Sequence, residues 1–384
     1  MKIGILTQPL HTNYGGILQC WALQHVLQEM GHEAWVVQRI RSSHTFGQYL
    51  IWQLKNVVRF VIGRPRPRWM TRKEKAEIRK HTQAFVDRYI RPRTSLIYST
   101  RGLRADYASQ RSDADVVGSD QVWRPIYSPC QPNYFLDFVP AGAPVKRVAY
   151  AASFGTDAWE YPEKLARQCR ALASRFDAVS VRESGGVRLC REHLGVEAVQ
   201  VLDPTLLQDR GRYESLVQGE DVPRSEGNFF CYVLDRTPRT AALSASVSSL
   251  LGVRPFEVMP RHAGVVTSRV ALSERVYPSP LRWLRGFMDA DYVLTDSFHG
   301  CVFSIIFNRP FVALGNSGRG QARFHSLLSL FGLESRLADG SAGAEAIADL
   351  LREPIDWVRV NEIRRSWRQK SMDYLRHALG KEEK

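Results

Sequence analysis

The sequence predicts an α/β protein with two doubly wound domains that face each other across a cleft. Its 384 residues, 44% of them hydrophobic and 24% charged, suffice for two domains with a core each. A βαβ unit comes first: apolar runs at 3–6 and 34–37 flank an amphipathic helical pattern that Gly31 ends. The alternation lapses over a polar stretch at 208–228, a predicted linker, and then begins again.

Short apolar strands alternate with helical patterns in both halves, as a parallel sheet covered on both faces requires. In the first half, further strands are predicted at 115–118, 147–151, 179–181 and 199–202, with helices at about 161–176 and 184–194. In the second half, strands are predicted at 229–234, 256–259, 292–295 and 311–314, with helices near 239–251, 280–289, 300–307 and 321–331. Each half is therefore predicted to be Rossmann-like, with its ligand crevice at the carboxyl ends of the strands.

The domain boundaries follow from these patterns. The first domain is predicted over 1–215, with an insertion at about 40–105, and the second over 220–350. An arginine-rich helical pattern at 357–379 also carries regularly spaced apolar residues. The extension over 351–384 is therefore predicted to be a helix that packs across the body.

The positive charge is concentrated in the insertion. The formal net charge is +14, and the segment from Arg39 to Arg104 contains seventeen lysines and arginines against three acids. Such a concentration predicts one face that meets an anionic surface. Grooves for single-stranded nucleic acid have aromatic residues interleaved with the charges, whereas here the aromatic residues fall with leucine and valine. Nucleic acid is therefore not the predicted partner.

An amphipathic helix is predicted at 48–62. One face of it carries Leu50, Leu54, Val57, Val58 and Val61. Trp52 and Phe60 widen that face as predicted anchors, and a basic run continues to about residue 75. This composition is typical of an interfacial membrane helix, so the segment at about 48–75 is predicted to contact an anionic membrane surface. The alternative is a helix packed on the domain's own core with a solvated charged face.

The cysteines and the N-terminal segment bear on the compartment. Six cysteines lie far apart, without a CxxC pair or Cys/His spacing typical of zinc, so reduced thiols and no metal are predicted. The first residues lack the features of a signal peptide, and no stretch reaches about 18 apolar residues. These observations predict a cytoplasmic protein that is peripheral on the inner face of the cytoplasmic membrane.

Two loops of the first half have the composition of a sugar-binding site. The first loop consists of Asn13, Tyr14, Gly15 and Gly16. Its glycines allow a ligand to approach the backbone, although a tight βα turn is an equal alternative. In the second loop, Asp120 and Gln121 can hydrogen-bond to sugar hydroxyls, and Trp123 offers an apolar ring face. The alternative there is that the polar residues cap the next helix.

The second half contributes a candidate proton donor. Ser297 and His299 stand between the predicted strand at 292–295 and an apolar helix, where an anion site with an adjacent acid can form. Acid–base chemistry on a phosphorylated substrate would use them, and a structural histidine is the alternative. Arg319 and Arg323 lie near the next helix start, which is unfavourable for arginine unless an anion binds there. One of them is predicted to bind a phosphate or carboxylate.

Two further charged residues follow strands of the first half. Arg182 follows the strand at 179–181 and can bind a carboxylate or phosphate, or form a salt bridge with Glu183 or another acid. Asp203 can accept a hydrogen bond from a hydroxyl or form a turn. Both alternatives stay open for each residue.

Seven motifs, taken in order, resemble those of the polysaccharide pyruvyltransferase family. They are Asn13–Gly16 with Leu18-Gln19 and Ala22-Leu23-Gln24, Gly118–Trp123, Tyr134–Phe138, Tyr150–Gly155, Ser180–Glu183, Leu202–Thr205 and Thr295–Gly300. The resemblance runs from about residue 1 to 336. The ordered set is specific for the family and leaves the acceptor sugar open.

The resemblance implies a GT-B-like fold, with the sugar acceptor on the first domain and phosphoenolpyruvate on the second. It implies transfer of a pyruvyl group from phosphoenolpyruvate to a sugar as a cyclic ketal, with no metal and no cofactor besides the donor substrate. By the family's pattern, His299 maps to the catalytic acid and Arg182 to an arginine that serves the donor's anionic groups. A membrane-contacting segment would suit a lipid-linked acceptor.

Two other functions remain open at the level of sequence. A nucleotide-sugar glycosyltransferase on the same fold would need a base and ribose pocket in the second domain. No dinucleotide-type glycine fingerprint or ribose-binding acid at the expected distance is visible there. The other is a nucleic-acid-binding protein that uses the basic segment at 39–104.

Overall fold

Two parallel β-sheets form the centres of two α/β domains in the computed structural model, which describes residues 1–41, 46–63, 69–263, 270–315 and 321–380. The first sheet contains β1 (Lys2–Leu6), β2 (Glu33–Val37), β3 (Ala114–Val117), β4 (Lys146–Ala152), β5 (Ala178–Val181) and β6 (Val199–Gln200). The second contains β7 (Phe229–Tyr232), β8 (Pro255–Phe256), β9 (Tyr292–Thr295), β10 (Phe311–Leu314) and β11 (Leu337–Ala338). The predicted α/β class with two Rossmann-like domains is confirmed.

Thirteen α-helices accompany these sheets within the described residues. Those of the first half are α1 (Tyr14–Glu29), α2 (Phe46–Val61), α3 (Arg72–Tyr89), α4 (Thr100–Gln110), α5 (Glu163–Ala173), α6 (Ser184–Leu189) and α7 (Arg210–Gln218). Those of the second half are α8 (Pro238–Leu251), α9 (Pro280–Asp289), α10 (Phe298–Ile306), α11 (Ala322–Phe331), α12 (Ala344–Arg352) and α13 (Trp357–Leu379).

The strand order creates one crevice in each sheet. The orders are β2-β1-β3-β4-β5-β6 and β11-β10-β9-β7-β8, and all neighbouring strands are parallel. The chain leaves β1 on one side to form β2 and returns on the other to form β3; β7, β8 and β9 repeat this reversal. In such sheets the loops after the two central strands diverge and leave room for a ligand at their carboxyl ends.

Burial explains why the strands next to these crevices have apolar sequences. All four residues of β3 are buried, as are all nine of α10, because helices cover both faces of each sheet. A helix that is apolar on every side is held rigidly by the core. The first turn of α10 is therefore a fixed platform for the side chains that it carries.

The predicted linker at 208–228 is wrong over its first half, where the chain forms α7. Tyr213 and Val217 of this helix are buried in the core. Only two apolar residues in a short helix anchor it, so the stretch has a polar composition although it is packed.

The last helix packs across onto the first domain, as predicted. The hydroxyl of Ser371 on α13 accepts a hydrogen bond from the Leu202 amide at 3.0 Å, and the Tyr374 hydroxyl donates to the Ala149 carbonyl at 2.9 Å. Since α13 follows the second domain in the chain, these bonds join the two domains on the side away from β2.

The insertion folds into α2, α3 and α4 beside the edge strand β2. The amide of Thr94 donates to the Val36 carbonyl at 2.9 Å, which ties the segment after α3 to that strand. Part of the predicted basic run, 64–68, lies outside the described residues. No helix in the described ranges combines the length and the apolar character that crossing a bilayer requires.

Candidate active site

A cleft of about 960 Å³ lies where the crevices of the two sheets meet. The loops after β1 and β3 line it from the first domain, and those after β7 and β9 line it from the second. Side chains from both domains therefore face one volume, which exceeds that needed for a small anionic substrate and a sugar together.

His299 is one of the titratable residues with which the second domain lines this cleft. It lies in the first turn of α10, and its side chain is 7% exposed. Its Nε2 is 3.5 Å from Oδ2 of Asp203, which belongs to the first domain. The two domains thus meet at a carboxylate–histidine pair.

Asp203 is fully buried and remains charged. Its Oδ1 accepts bonds from the Thr205 amide and hydroxyl at 3.0 and 2.7 Å, and its Oδ2 accepts from Arg182 Nη1 at 2.9 Å. Burial alone would raise the pKa of the Asp203 carboxyl, but the nearby His299 and Arg182 outweigh it and hold this pKa well below its usual range. Asp203 is therefore a permanent anion beside His299.

Arg182 forms salt bridges, which was one of the two alternatives for this residue in the sequence. Its guanidinium is 2.9 Å from Glu183 and from Asp203, and 3.8 Å from Asp120. It also lies 4.1 Å from the ring centre of Phe298 in the second domain. Burial disfavours its charged form, yet the three carboxylates raise the pKa of Arg182 above its ordinary value. With 2% of its side chain exposed, Arg182 lies behind His299 and Asp203.

The small and polar residues of the motif at 295–300 have structural roles. The Asp296 carboxylate accepts bonds from the Leu234 and Asp235 amides at 2.6 and 2.8 Å, which joins the two loops of the second crevice. A Cβ on Gly300 would lie 2.1 Å from the Thr295 hydroxyl oxygen. Both features fix the start of α10 and hence the position of His299.

Gly15 is required by the contact between α1 and His299. A Cβ at Gly15 would lie 2.1 Å from Cγ and Nδ1 of His299, far closer than two atoms can approach. We expect Gly15→Ala to displace the ring and lower turnover on the order of 10²-fold, since a shift of about 1 Å has that effect on catalysis. The measurement is turnover, with the melting temperature recorded for both proteins.

Gly211→Ala is the matched control for this substitution. Gly211 is also in the first turn of a helix, but a Cβ there would meet nothing within 4 Å. We expect turnover of this control within twofold of wild type. Equal losses in the two variants would contradict a specific role for the Gly15 contact.

The predicted donor residues lie on the second-domain side. Ser297 and Arg323 line the cleft together with His299, whereas Arg319 lies outside the described residues. Burial, and then the charge of Arg182, lower the pKa of Arg323. An arginine held in such surroundings is stabilised by an anion, and anion binding by Arg319 or Arg323 stays a prediction.

The predicted acceptor residues divide into two groups. Asn13, Asp120 and Gln121 line the cleft, and Asn13 Nδ2 donates to Asp120 Oδ2 at 3.3 Å. Gly15 and Gly16 do not line it: Gly15 packs on His299, and the Gly16 amide donates to the Asn13 side chain at 3.1 Å. The glycine turn therefore supports the site from behind.

The prediction that Tyr14 and Trp123 contact the acceptor sugar is wrong. Trp123 is fully buried, its ring stacks on Phe135 at 5.0 Å, and its Nε1 donates to the Tyr134 carbonyl. Tyr14 is equally buried and stacks on Trp283 of the second domain at 5.7 Å. Neither ring face is accessible to a sugar, because each belongs to a packed core or to the interface between domains.

The cationic side of the cleft was not predicted from the sequence. Lys75 and Arg79 of α3 line it, as do Arg39 and Arg41 after β2. All four were counted in the basic segment at 39–104, and Lys75 also in the predicted membrane segment, because nothing local distinguishes them from their basic neighbours. The packing of α3 against both domains brings Lys75 and Arg79 to the cleft, and the end of β2 brings Arg39 and Arg41.

Comparison with known proteins identifies the family. The family model described as polysaccharide pyruvyl transferase matches residues 13–318. None of the curated proteins searched matches the chain.

Solved structures support the fold. A co-structure of S. aureus MnaA with UDP is similar with a TM-score of 0.52 and 10% identity, covering 99% of this chain and 97% of that one. The UDP-GlcNAc 2-epimerase from Methanocaldococcus jannaschii aligns with a TM-score of 0.49 and 11% identity over 93% of both chains. The likeness to the MnaA structure supports a GT-B-like fold of two Rossmann-like domains. With the family model covering most of its length, the chain belongs to the polysaccharide pyruvyl transferase family and is a transferase of polysaccharide biosynthesis.

Proposed function

We propose that this transferase moves a pyruvyl group from phosphoenolpyruvate to a lipid-linked sugar, forming a cyclic ketal and releasing phosphate. The observation that carries the proposal is the pair of His299 and Asp203 at the meeting point of the two crevices. A histidine can deliver a proton to a substrate, and a carboxylate beside it can stabilise the ring during that transfer.

The proposed reaction begins with protonation of the methylene carbon of phosphoenolpyruvate by His299. C2 then becomes an oxocarbenium-like centre, to which two sugar hydroxyls add, while the bond from C2 to the phosphate oxygen breaks. One hydroxyl proton restores His299 and the other leaves with phosphate. No oxidation state changes overall, so the step requires no redox cofactor, and we propose no metal.

Asp203 and Arg182 would act through His299. Asp203 stabilises the positive ring, and Arg182 holds Asp203 in place through its 2.9 Å contact. We therefore assign Arg182 a positioning role, in place of direct contact with the donor.

The two sides of the cleft suggest where the substrates bind. Ser297 and Arg323 on the second domain would receive the phosphate and carboxylate of the donor. Asn13, Asp120 and Gln121 on the first domain offer amide and carboxylate groups to sugar hydroxyls. The ring of His299 then lies between the donor and the acceptor.

Phosphate release tests this function. Wild-type protein would be incubated with phosphoenolpyruvate and a panel of lipid-linked galactose, mannose, glucose and N-acetylated sugars. We expect acceptor-dependent release of phosphate together with a pyruvylated product by mass spectrometry. Turnover of UDP-sugars without any use of phosphoenolpyruvate would instead favour a nucleotide-sugar glycosyltransferase.

We further propose that α2 holds the protein at an anionic membrane, where a lipid-linked acceptor would be found. Its large apolar side chains are exposed: Leu50, Ile51, Leu54, Val57, Val58, Phe60, Val61 and Ile62 are each between 47% and 77% accessible. Most of them share one side of the helix. An apolar helix face of this size beside basic residues is typical of interfacial membrane binding.

Trp52, which was predicted to anchor α2 in the membrane, lies on the inner face of this helix. Its ring lies 5.3 Å from that of Trp69 and 6.0 Å from that of Tyr49, so Trp52 packs inward and is only partly exposed. Replacing Trp52 would disturb this cluster as well as any membrane contact. The better test substitutes outward-facing residues.

Replacing Leu54 and Val61 by serine should weaken binding to vesicles of anionic lipid by at least about tenfold, because burial of each such side chain contributes roughly 1.5–3 kcal/mol. Binding of the wild type should also fall with rising salt, since screening weakens the attraction to lipid headgroups. Co-sedimentation measures both effects.

The control replaces Leu250 and Val358, which are equally apolar and 42% and 70% exposed on other helices. This pair should leave vesicle binding unchanged. The membrane role of α2 would be contradicted if the wild type did not bind anionic vesicles. It would also be contradicted if the control lost as much binding as the variant with serine at positions 54 and 61.

A further inference from the structure

One wall of the cleft, on the first domain, is cationic. We call Arg39, Arg41, Lys75 and Arg79 the basic wall. Among the described cleft-lining residues from β2 to the end of α3, these four carry positive charge and none carries negative charge. Asp120 and Asp296, the acids that line the cleft, come from loops after β3 and β9. The basic wall therefore attracts anions apart from the His299 centre.

The helix that carries half of the basic wall is firmly held. The Thr71 side chain and Glu74 cap the start of α3 reciprocally, and Ile78 and Phe85 are buried. The Tyr277 amide of the second domain donates to the Ile78 carbonyl at 2.9 Å. Lys75 and Arg79 are one helical turn apart on the face that lines the cleft. Their separation is thus fixed before any ligand binds.

The charges of the basic wall repel one another. Burial and then the charge of Arg79 lower the pKa of Lys75. Removal from bulk water inside the cleft, followed by the same charge, lowers the pKa of His11 to about 4, although the ring borders the open cleft. A set of cations held together in this way gains stability when a multiply charged anion binds between them.

The other two cations of the basic wall, Arg39 and Arg41, are held by hydrogen bonds to neutral groups. Arg41 Nη2 donates to the Ile126 and Ser128 carbonyls at 3.0 and 2.9 Å, and Arg39 Nε donates to Asn133 at 2.9 Å. These bonds to neutral groups fix the guanidinium positions and leave their charge in place. The wall is therefore preorganised, which lowers the cost of binding an anion.

We propose that the basic wall binds a diphosphate group of the acceptor, so that the acceptor is a glycosyl diphosphate. Arginine and lysine are the residues that bind phosphates, and four cations match the charge of a diphosphate better than that of a single carboxylate. The proposal rests on the transferase function proposed above, because it assigns the acceptor half of the same cleft.

A chain of contacts connects this wall to α2. Lys75 Nζ lies 5.9 Å from the ring centre of Trp69, and Trp69 lies 5.3 Å from Trp52 of α2. In a lipid-linked sugar the diphosphate stands between the lipid and the sugar. In the protein, α2, the basic wall and His299 follow one another in the order of the lipid, the diphosphate and the sugar. This match favours a lipid over a nucleotide as the group attached to the far side of the diphosphate.

Calorimetric titration with inorganic pyrophosphate tests the basic wall directly. We expect wild-type protein to bind it and the double variant Lys75→Gln/Arg79→Gln to bind at least about tenfold more weakly, since two charged contacts are lost. The matched control is Arg72→Gln/Lys73→Gln, which removes the same charge from exposed positions of the same helix that do not line the cleft. This control should bind pyrophosphate within about twofold of wild type.

Three results would overturn the proposal. They are an absence of pyrophosphate binding to the wild type, equal weakening in both double variants, and competition in which phosphoenolpyruvate displaces pyrophosphate. The last would assign the basic wall to the donor. The His299→Ala variant keeps the two proposals apart: it should retain pyrophosphate binding while losing turnover.

Two further ligands distinguish the source of the diphosphate. Farnesyl diphosphate should bind more tightly than pyrophosphate, and Leu54→Ser/Val61→Ser should remove this advantage, if a lipid follows the diphosphate. The alternative result is that UDP binds more tightly than either ligand, with no effect of the α2 substitutions. That result would mean that the basic wall binds the diphosphate of a nucleotide and would contradict the lipid-linked acceptor.

Discussion

Replacing His299 by alanine lowers turnover by a factor on the order of 10² to 10⁴, which is the usual contribution of a general acid. The reason is that His299 lines the cleft and lies 3.5 Å from the buried Asp203 carboxylate, which can stabilise the ring during proton transfer. Turnover is measured as acceptor-dependent phosphate release.

The control for this substitution is His325→Ala. His325 is exposed on α11 and lines a separate groove, so its removal should leave turnover unchanged. The melting temperatures of both variants should stay near that of the wild type. Near wild-type turnover of the His299 variant on a verified acceptor would mean that another group supplies the proton.

Replacing Arg182 by methionine should lower the free energy of unfolding by about 3–5 kcal/mol, the usual cost of removing one partner from a buried ion pair. Glu183, Asp203 and Asp120 would lose their shared cation. Chemical denaturation at neutral pH measures the change. Turnover should fall as well, because Asp203 would no longer be held beside His299.

The pH dependence of the free energy of unfolding distinguishes the loss of the Arg182 charge from a simple loss of packing. In the wild type the pKa of Asp203 is lower in the folded protein than in the unfolded chain, so its contribution is present at neutral pH and is lost on acidification. In the variant, unpaired buried carboxylates would have raised pKa values and would favour folding when protonated. The stability gap between the two proteins should therefore narrow as the pH falls.

Arg188→Met is the control for charge removal. Arg188 pairs with Glu192 on the surface, with 47% of its side chain exposed, and such pairs contribute only about 0–1 kcal/mol. A gap for Arg182→Met that is no larger than this, or that does not change with pH, would contradict the role of Arg182 as the partner of three carboxylates.

The fold was predictable because its signals are local. Buried parallel strands such as β1 and β9 are continuous apolar runs, and the switch from strand to helix is visible at each of them. The stretch that forms α7 was misjudged because two buried residues in nine are too few to reveal a helix. Helix α3 was missed because its basic residues outnumber its buried ones.

The site was predictable in part. Residues at strand ends, such as His299 and Asp120, could be placed in the cleft because parallel strands end at one edge. Trp123 could not be recognised as a core residue, since a tryptophan after a strand has the same sequence in a core as in a sugar site. The pairing of Asp203 with His299 joins two domains, and no spacing along the chain encodes it.

The most direct test of the central claim is the reaction in deuterated water. If His299 protonates the methylene carbon, the product formed with phosphoenolpyruvate and acceptor carries one solvent deuterium in its methyl group, as mass spectrometry and NMR can show. We expect this product from the wild type and its near absence from His299→Ala. A product that keeps an unsaturated methylene group, or pyruvylation by the His299 variant at the wild-type rate, would contradict the account.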